Sequence, residues 1–316
     1  MYTWPEDIMS AMAEGKLTAP EAFRKMRETE GFHRSASAPS EHTTSKQRME
    51  DILHELDNLI GLLDVKQLVR EIHAFIQIQK LRQKERLLAD PMVLHMIFKG
   101  NPGTGKTTVA RIMGRIFREM GVLSRGHLIE VERADLVGEY IGHTAQKTRD
   151  QLKKAQGGIL FIDEAYSLAR GGEKDFGKEA IDCMVKAMED KKDEFIIILA
   201  GYQKEMENFL LTNPGLRSRF PIHMDFADYN TIELMSIAEQ MCQKRQYRLT
   251  AEAKQHLQKL LLMPSATNDH SGNARDVRNI IEKAIRRQAT RLISQQKITR
   301  DELILLQIGD LQEVKP

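Results

Sequence analysis

The apolar positions along the chain fall into three regimes. Between Val65 and Leu88 they recur at helical spacing, through Val65, Leu68, Val69, Ile72, Ile76 and Leu81, which predicts a long helix stopped at Asp90-Pro91. From Met92 the pattern changes to short apolar runs, Met92–Phe98, His127–Val131, Ile159–Ile162, Phe195–Ala200 and Ile222–Phe226. Their lack of polar alternation suits strands covered on both faces of a parallel sheet. Amphipathic stretches near Lys106–Met120, Ala145–Ala155 and Lys178–Met188 separate most of them, so the middle of the chain reads as an α/β layer with right-handed crossovers. From Thr231 to about Gln296 the periodicity is helical throughout, with a polar break at Pro264–Gly272. The expected architecture is therefore a five-stranded parallel sheet sandwiched by helices over 49–228, followed by an all-helical domain over 229–316.

The first 33 residues read as two short helices. Thr3 and Thr18 are candidate N-caps, each with Pro two residues on, and Gly15 and Gly31 stand where helices would stop. Residues 34–48, rich in Ser, Thr and Ala, read as a flexible linker. A length of 316 residues suits more than one domain. The 47 basic and 45 acidic residues nearly cancel, which gives no nucleic-acid footprint. Cys183 and Cys242 form no metal-type pair, no run approaches a membrane span, and the N-terminus has no signal-peptide pattern; the expectation is a soluble cytoplasmic protein. The basic run Lys283–Arg287 with Arg291 reads as a solvated helix face or a contact with another subunit.

Two motifs carry chemistry. Gly100-Asn101-Pro102-Gly103-Thr104-Gly105-Lys106-Thr107 fits G-x-x-x-x-G-K-[ST] between an expected strand and an expected helix. Its glycines let the backbone turn tightly and offer N–H groups to phosphate oxygens, and the helix that follows, from Lys106 through Thr108, points its positive end at the same anion. Lys106 would reach the β- and γ-phosphates and the Thr107 hydroxyl would sit on Mg²⁺. The second motif is Ile159-Leu-Phe-Ile-Asp163-Glu164, an apolar strand ending in two carboxylates. Asp163 would help hold Mg²⁺, and Glu164 would act as general base on water. ATP and Mg²⁺ are the expected ligands.

In order and spacing these motifs resemble AAA+ ATPases, within the branch that includes spore-formation proteins and red-type Rubisco activases, over roughly 50–310. Further stretches carry the resemblance: Leu59–Lys66, Glu139–Thr148, Leu199–Tyr202, Asn213–Phe220 and Gly272–Arg278. The resemblance implies that Ile60 and Gly61 pack on adenine, and that Arg275 touches phosphate from the lid. It also implies that Arg219, with Arg217 as its rival, reaches a neighbouring subunit's γ-phosphate as an arginine finger. Tyr140, Ile141 and Gly142 would form a pore loop that grips a protein client; the alternative is a tyrosine packed at a strand–helix turn. The sequence departs from the family where Asn commonly follows the fourth strand. Tyr202, Asn208 and Asn213 are the candidates for that role. The implied protein is a ring, a hexamer, acting on a protein client in spore formation. A Rubisco-activase-like chaperone, a DNA-associated motor and a nucleotide-switched scaffold are the other readings.

Overall fold

The structure is a computed structural model, and it describes residues 41–89, 93–140, 142–170, 176–191, 194–262, 272–295 and 297–312. The chain divides into two compact units, Met1–Asp51 and Ile52–Pro316. The two expected N-terminal helices lie outside the described residues. Helix α1 spans Glu41–Asp57, so residues 41–48, read above as linker, are helical. Polarity there reads as flexibility, yet no Gly or Pro interrupts the run, and Ile52 and Leu56, one turn apart, are buried. Helix α2, Leu63–Lys84, buries Val65, Val69, Ile72 and Ile76 along one stripe. It ends before the expected stop: Arg86 turns left-handed at φ 57°, Leu87 N–H closes onto the Arg82 carbonyl at 2.8 Å, and the Arg82 guanidinium caps the Leu88 carbonyl.

The five strands are β1 Met96–Gly100, β2 Leu128–Val131, β3 Ile159–Ile162, β4 Ile196–Gly201 and β5 Ile222–Phe226. They form one parallel sheet in the order β2-β3-β4-β1-β5. β3 and β5 match the expected runs, whereas β1 begins four residues later than expected and β4 is shifted by one residue; Met92 lies outside the described residues. Alternation along each strand sends Ile97, Leu160, Ile162, Ile197 and Leu199 into one buried layer with Leu152, Met184 and Phe209. Those three come from α5 His143–Lys154, α6 Gly177–Asp190 and α7 Gln203–Thr212; α4, Arg133–Leu136, is a single turn. The opposite face is equally dry: Phe98 lies edge-on to Phe161 and 5.0 Å from Phe226. Helix α3, Lys106–Glu119, buries Val109, Ile112, Met113 and Phe117.

After α8, Pro214–Arg219, and β5, the chain enters the lid through residues 227–230. The lid packs α9 Thr231–Lys244, α10 Ala251–Leu262 and α11 Ala274–Ile293 around Leu234, Ile237, Leu257, Val277 and Ile281. It is not wholly helical: β6 Arg248–Leu249 pairs in parallel with β7 Leu305–Leu306, between the short helices α12 Arg300–Ile304 and α13 Ile308–Leu311. Buried Gln288 fastens this C-terminal segment, with its amide 2.9, 3.2 and 2.9 Å from the carbonyls of Glu302, Leu303 and Leu305. Arg291, expected on a solvated face or at a contact with another subunit, forks onto both oxygens of Asp310 in its own chain, which is only 2% exposed. A buried carboxylate needs such a paired, bidentate donor.

Candidate nucleotide site

The sheet order sets the site. β1 and β3 flank β4, so the loop after β1 and the carboxylates after β3 meet beside the residue that follows β4, Tyr202. Ligands of open parallel sheets bind at these carboxyl ends. A cavity of about 370 Å³ opens there, lined by Gly100, Pro102, Gly103, Gly105, Lys106, Thr107, Thr108, Asp163, Glu164 and Tyr202. Leu59 and Ile60 line another part of it, and Ile60 also packs against the lid core. The lid supplies Arg275 and Arg278 from α11 and Ile237, Gln240, Met241 and Lys244 from α9.

Local chemistry explains the shape of the loop. Gly105 stands at φ 98°, a conformation that L side chains rarely adopt, and opens α3. The Thr104 hydroxyl, fully buried, donates to the Asn101 carbonyl at 2.8 Å and closes the turn. Lys106 folds back and donates to the carbonyls of Gly100 and Asn101, each at 2.8 Å. Burial pulls its ammonium down to a pKa of about 8; Asp163 and Asp228 work against that fall, and Arg275 adds to it. Glu164 is strained into the left-handed region at φ 47°, while its N–H donates to Asp163 Oδ1 at 3.0 Å. That sharp turn lets two consecutive carboxylates line one cavity. Tyr202 packs on the Tyr166 ring, and Arg170 covers that ring at 4.6 Å. Burial, first of all, raises the Tyr166 phenol above its ordinary range.

This donor set fits a magnesium–triphosphate group. A desolvated ammonium turned onto neutral carbonyls, two threonines and two carboxylates line one cavity, together with two lid arginines. Not every expected residue lines it. Asn101 turns its amide onto Asp228 instead, at 3.0 and 2.9 Å, and Thr104 is internal. Gly61 approaches the lid, where a Cβ would meet Glu233 Oε1 at 2.5 Å. Among the sensor candidates, Tyr202 lines the cavity; Asn208 is exposed, and Asn213 bonds to Phe209 and Thr212 at the end of α7. Arg219 lies outside the cavity on α8, paired with Glu189 and donating to the Gly215 carbonyl at 2.8 Å, whereas Arg217 is exposed. Tyr140 is 66% exposed, with its ring edge-on to His143 at 5.4 Å, and Gly142 starts α5 at φ 81°. Ile141 lies outside the described residues. The sequence reading missed Ile237, Gln240, Met241 and Lys244, although their i, i+3, i+4, i+7 spacing was a usable signal for one helix face. Arg278, one turn after Arg275, closes the Gly272–Arg278 stretch and also lines the cavity, a role the sequence reading gave to Arg275 alone.

Comparison with known proteins agrees with the fold. The family model described as ATPase family associated with various cellular activities (AAA) matches residues 96–228, and the AAA lid domain model matches 230–315. Stage V sporulation protein K of Bacillus subtilis (strain 168) is 54% identical over 286 residues, spanning 88% of this chain and 89% of that protein. The chloroplastic ribulose bisphosphate carboxylase/oxygenase activase of Cyanidioschyzon merolae (strain NIES-3377 / 10D) is 46% identical, spanning 84% and 91%. Protein CbbX of Cereibacter sphaeroides is 47% identical, spanning 78% and 80%. Among solved structures, the FIGL-1 AAA domain in complex with ADP superposes with a TM-score of 0.55 over 80% of each chain at 17% identity, a likeness of fold alone. The chain thus belongs to the AAA ATPase family, with a AAA domain and a AAA lid, and is related to stage V sporulation protein K and to the Rubisco activases.

Proposed function

We propose that the chain hydrolyses ATP with Mg²⁺ between subunits of a ring, a hexamer, and uses the cycle to remodel a protein client. The observation that carries this reading is the convergence of Lys106, Thr107, Asp163, Glu164 and Arg275 on one cavity. Lys106 and the loop N–H groups would hold the β- and γ-phosphates, and Leu59, Ile60 and the lid face of α9 would enclose the base. Thr107 and Asp163 would hold Mg²⁺, which supplies neutralisation of phosphate charge. Glu164 would orient a water on the γ-phosphorus and take its proton as the bond to the leaving ADP oxygen breaks. Arg219 would come from the neighbouring subunit to the same phosphate, with Arg217 as the rival, and the Tyr140 loop would contact the client. ATP turnover per chain should rise with protein concentration as subunits meet. Full turnover in an isolated monomer would rule out the shared site.

The named relatives divide on the client. The 54% identity to a sporulation protein supports a client in spore formation. The 46% identity to a ribulose bisphosphate carboxylase/oxygenase activase supports a carboxylating enzyme instead. Stimulation of ATPase activity by ribulose bisphosphate would favour the second reading, and no response would favour the first.

A further inference from the structure

The segment that joins the sheet to the lid carries a carboxylate that neither the phosphate loop nor the lid motif contains. Asp228 follows β5 and precedes α9. Its two oxygens take the Asn101 amide of the phosphate loop at 3.0 and 2.9 Å, and Oδ1 also takes the Asn273 amide of the lid at 2.8 Å. Asn273 is 1% exposed and held at φ 50° and ψ −130°, a strained conformation for a residue with a Cβ. Its amide nitrogen also lies 3.3 Å from the Pro102 carbonyl, and its Oδ1 accepts the Tyr229 N–H at 2.9 Å. Two further bonds run in parallel: the Tyr229 hydroxyl donates to the Thr104 carbonyl at 3.1 Å, and the Ala274 N–H to the Gly103 carbonyl at 3.3 Å. The approach at Gly103 leaves no room for a side chain, since a Cβ would meet the Gly272 carbonyl at 2.3 Å. Arg275 stands two residues beyond Asn273, in the same opening turn of α11.

We infer that Asp228 is a positioning residue that latches the lid to the phosphate loop through Asn273 and Asn101, so that Arg275 stands over the phosphate site before nucleotide arrives. The inference rests on the proposed ATPase reading and extends it to the coupling between lid and loop. A carboxylate suits the position because both nitrogens that approach it are amide donors. Neither asparagine amide nitrogen can accept, so an amide at 228 would face donor against donor on one side. The latch preorganises the site: without it, ATP must order the lid while binding, whereas saturating ATP rebuilds the contact through Arg275. The expected signature is a split between KM and kcat.

The test is steady-state ATP hydrolysis and fluorescent-nucleotide binding by the full chain carrying Asp228→Asn, with Asn101→Ala, Asn273→Ala and their double variant as a cycle. The latch predicts that Asp228→Asn raises KM and the nucleotide Kd about tenfold, the loss of roughly one charge-assisted hydrogen bond, and holds kcat within about twofold. The two asparagine effects should be strongly non-additive, and the Asn101 effect should vanish in an Asp228→Ala background, whereas Asn273→Ala keeps the part that runs through Pro102 and Tyr229. Asn101→Ala alters an edge of the network and keeps the test alive if the buried Asn273 variant fails to fold. If Asp228 acted only as a negative charge near Lys106, its neutralisation would tighten binding, and that outcome overturns the inference. So does additivity in the cycle, or a fall in kcat at constant KM. Absence of ATP binding and hydrolysis in the unsubstituted protein would instead remove the ATPase reading itself.

Discussion

In the proposed function Lys106 and Arg219 serve one phosphate from two subunits, and although both are half-buried their partners differ. Lys106 lies in the cavity, donates to two backbone carbonyls and is desolvated enough to bring its ammonium down to a pKa of about 8. Arg219 lies on α8, a third exposed, tethered to Glu189 and to its own helix. A cation whose ligand enters its own chain's cavity can be dried in advance. One whose ligand would sit in another molecule must keep a solvent-facing side, and an ion pair such as that with Glu189 holds it at little energetic cost. On the proposed reading, the difference would separate a site built within the chain from one completed by a neighbouring subunit.

The strongest attack on that contrast is Arg219→Ala. With Arg219 as the trans finger, kcat should fall by about 10³–10⁵ while nucleotide affinity in the isolated chain stays nearly constant. Mixing Lys106→Ala chains with Arg219→Ala chains should restore part of the activity, because some interfaces then pair an intact lysine with an intact arginine. No recovery on mixing places Arg219 in cis. A larger loss from Arg217→Ala than from Arg219→Ala moves the finger to the exposed neighbour. Within the cavity, Glu164→Gln should cost about 10²–10⁴ in kcat and preserve ATP binding, as expected for loss of a general base. A Glu164→Gln chain with normal turnover would remove that carboxylate from the chemistry.

His95 and Lys106 lie at opposite ends of β1 and its loop, and both are desolvated, but only Lys106 has a ligand to gain. His95 is 3% exposed, accepts the Ile197 N–H on Nδ1 at 3.0 Å and lies between the rings of Phe195 and Phe220. Burial lowers its pKa from 6.5 to about 4. The folded state therefore binds its proton less readily than the unfolded state. Its contribution is complete above pH 6.5 and is lost as pH falls toward 4, in total about 3 kcal/mol. Urea midpoints should show about 2 kcal/mol of that loss between pH 7 and pH 5. His95→Asn, which keeps an acceptor near Nδ1, should flatten the profile; an unchanged slope would assign acid sensitivity to other groups.

What could be read in advance follows the same division. The phosphate loop and the β3 carboxylates are contiguous, so their chemistry shows in the order of residues, and β3 and β5 fell on the expected runs. The helical face of Ile237, Gln240, Met241 and Lys244 was periodic but carried no motif to claim it. The Asp228 latch joins residues 127 and 45 positions apart in sequence, and such a pairing leaves no periodic trace. Arg291 looked solvated because its carboxylate partner, Asp310, comes from a separate turn. The helix over residues 41–48 was hidden by composition, since polar residues continue a helix anchored by Ile52 and Leu56 further on.

The smallest effect tests the desolvation of Lys106 directly. Its ammonium is lowered chiefly by burial, so the nucleotide-free protein begins to lose the proton near pH 8. Phosphate binds the charged form. Affinity for ATP should then be level below pH 8 and fall about tenfold per pH unit above it, about 1.4 kcal/mol for each unit. Binding above pH 8 should take up a proton, visible as a buffer-dependent heat in calorimetry, because the triphosphate pulls the lysine back to its ordinary range. Lys106→Arg removes the titration and should level the profile at a lower affinity, since a guanidinium stays charged but does not fit an ammonium's place. A profile level to pH 10 in the unsubstituted chain would mean that Asp163 and Asp228 outweigh burial, and Lys106 would then resemble Arg219 as a cation stabilised by carboxylates of its own chain.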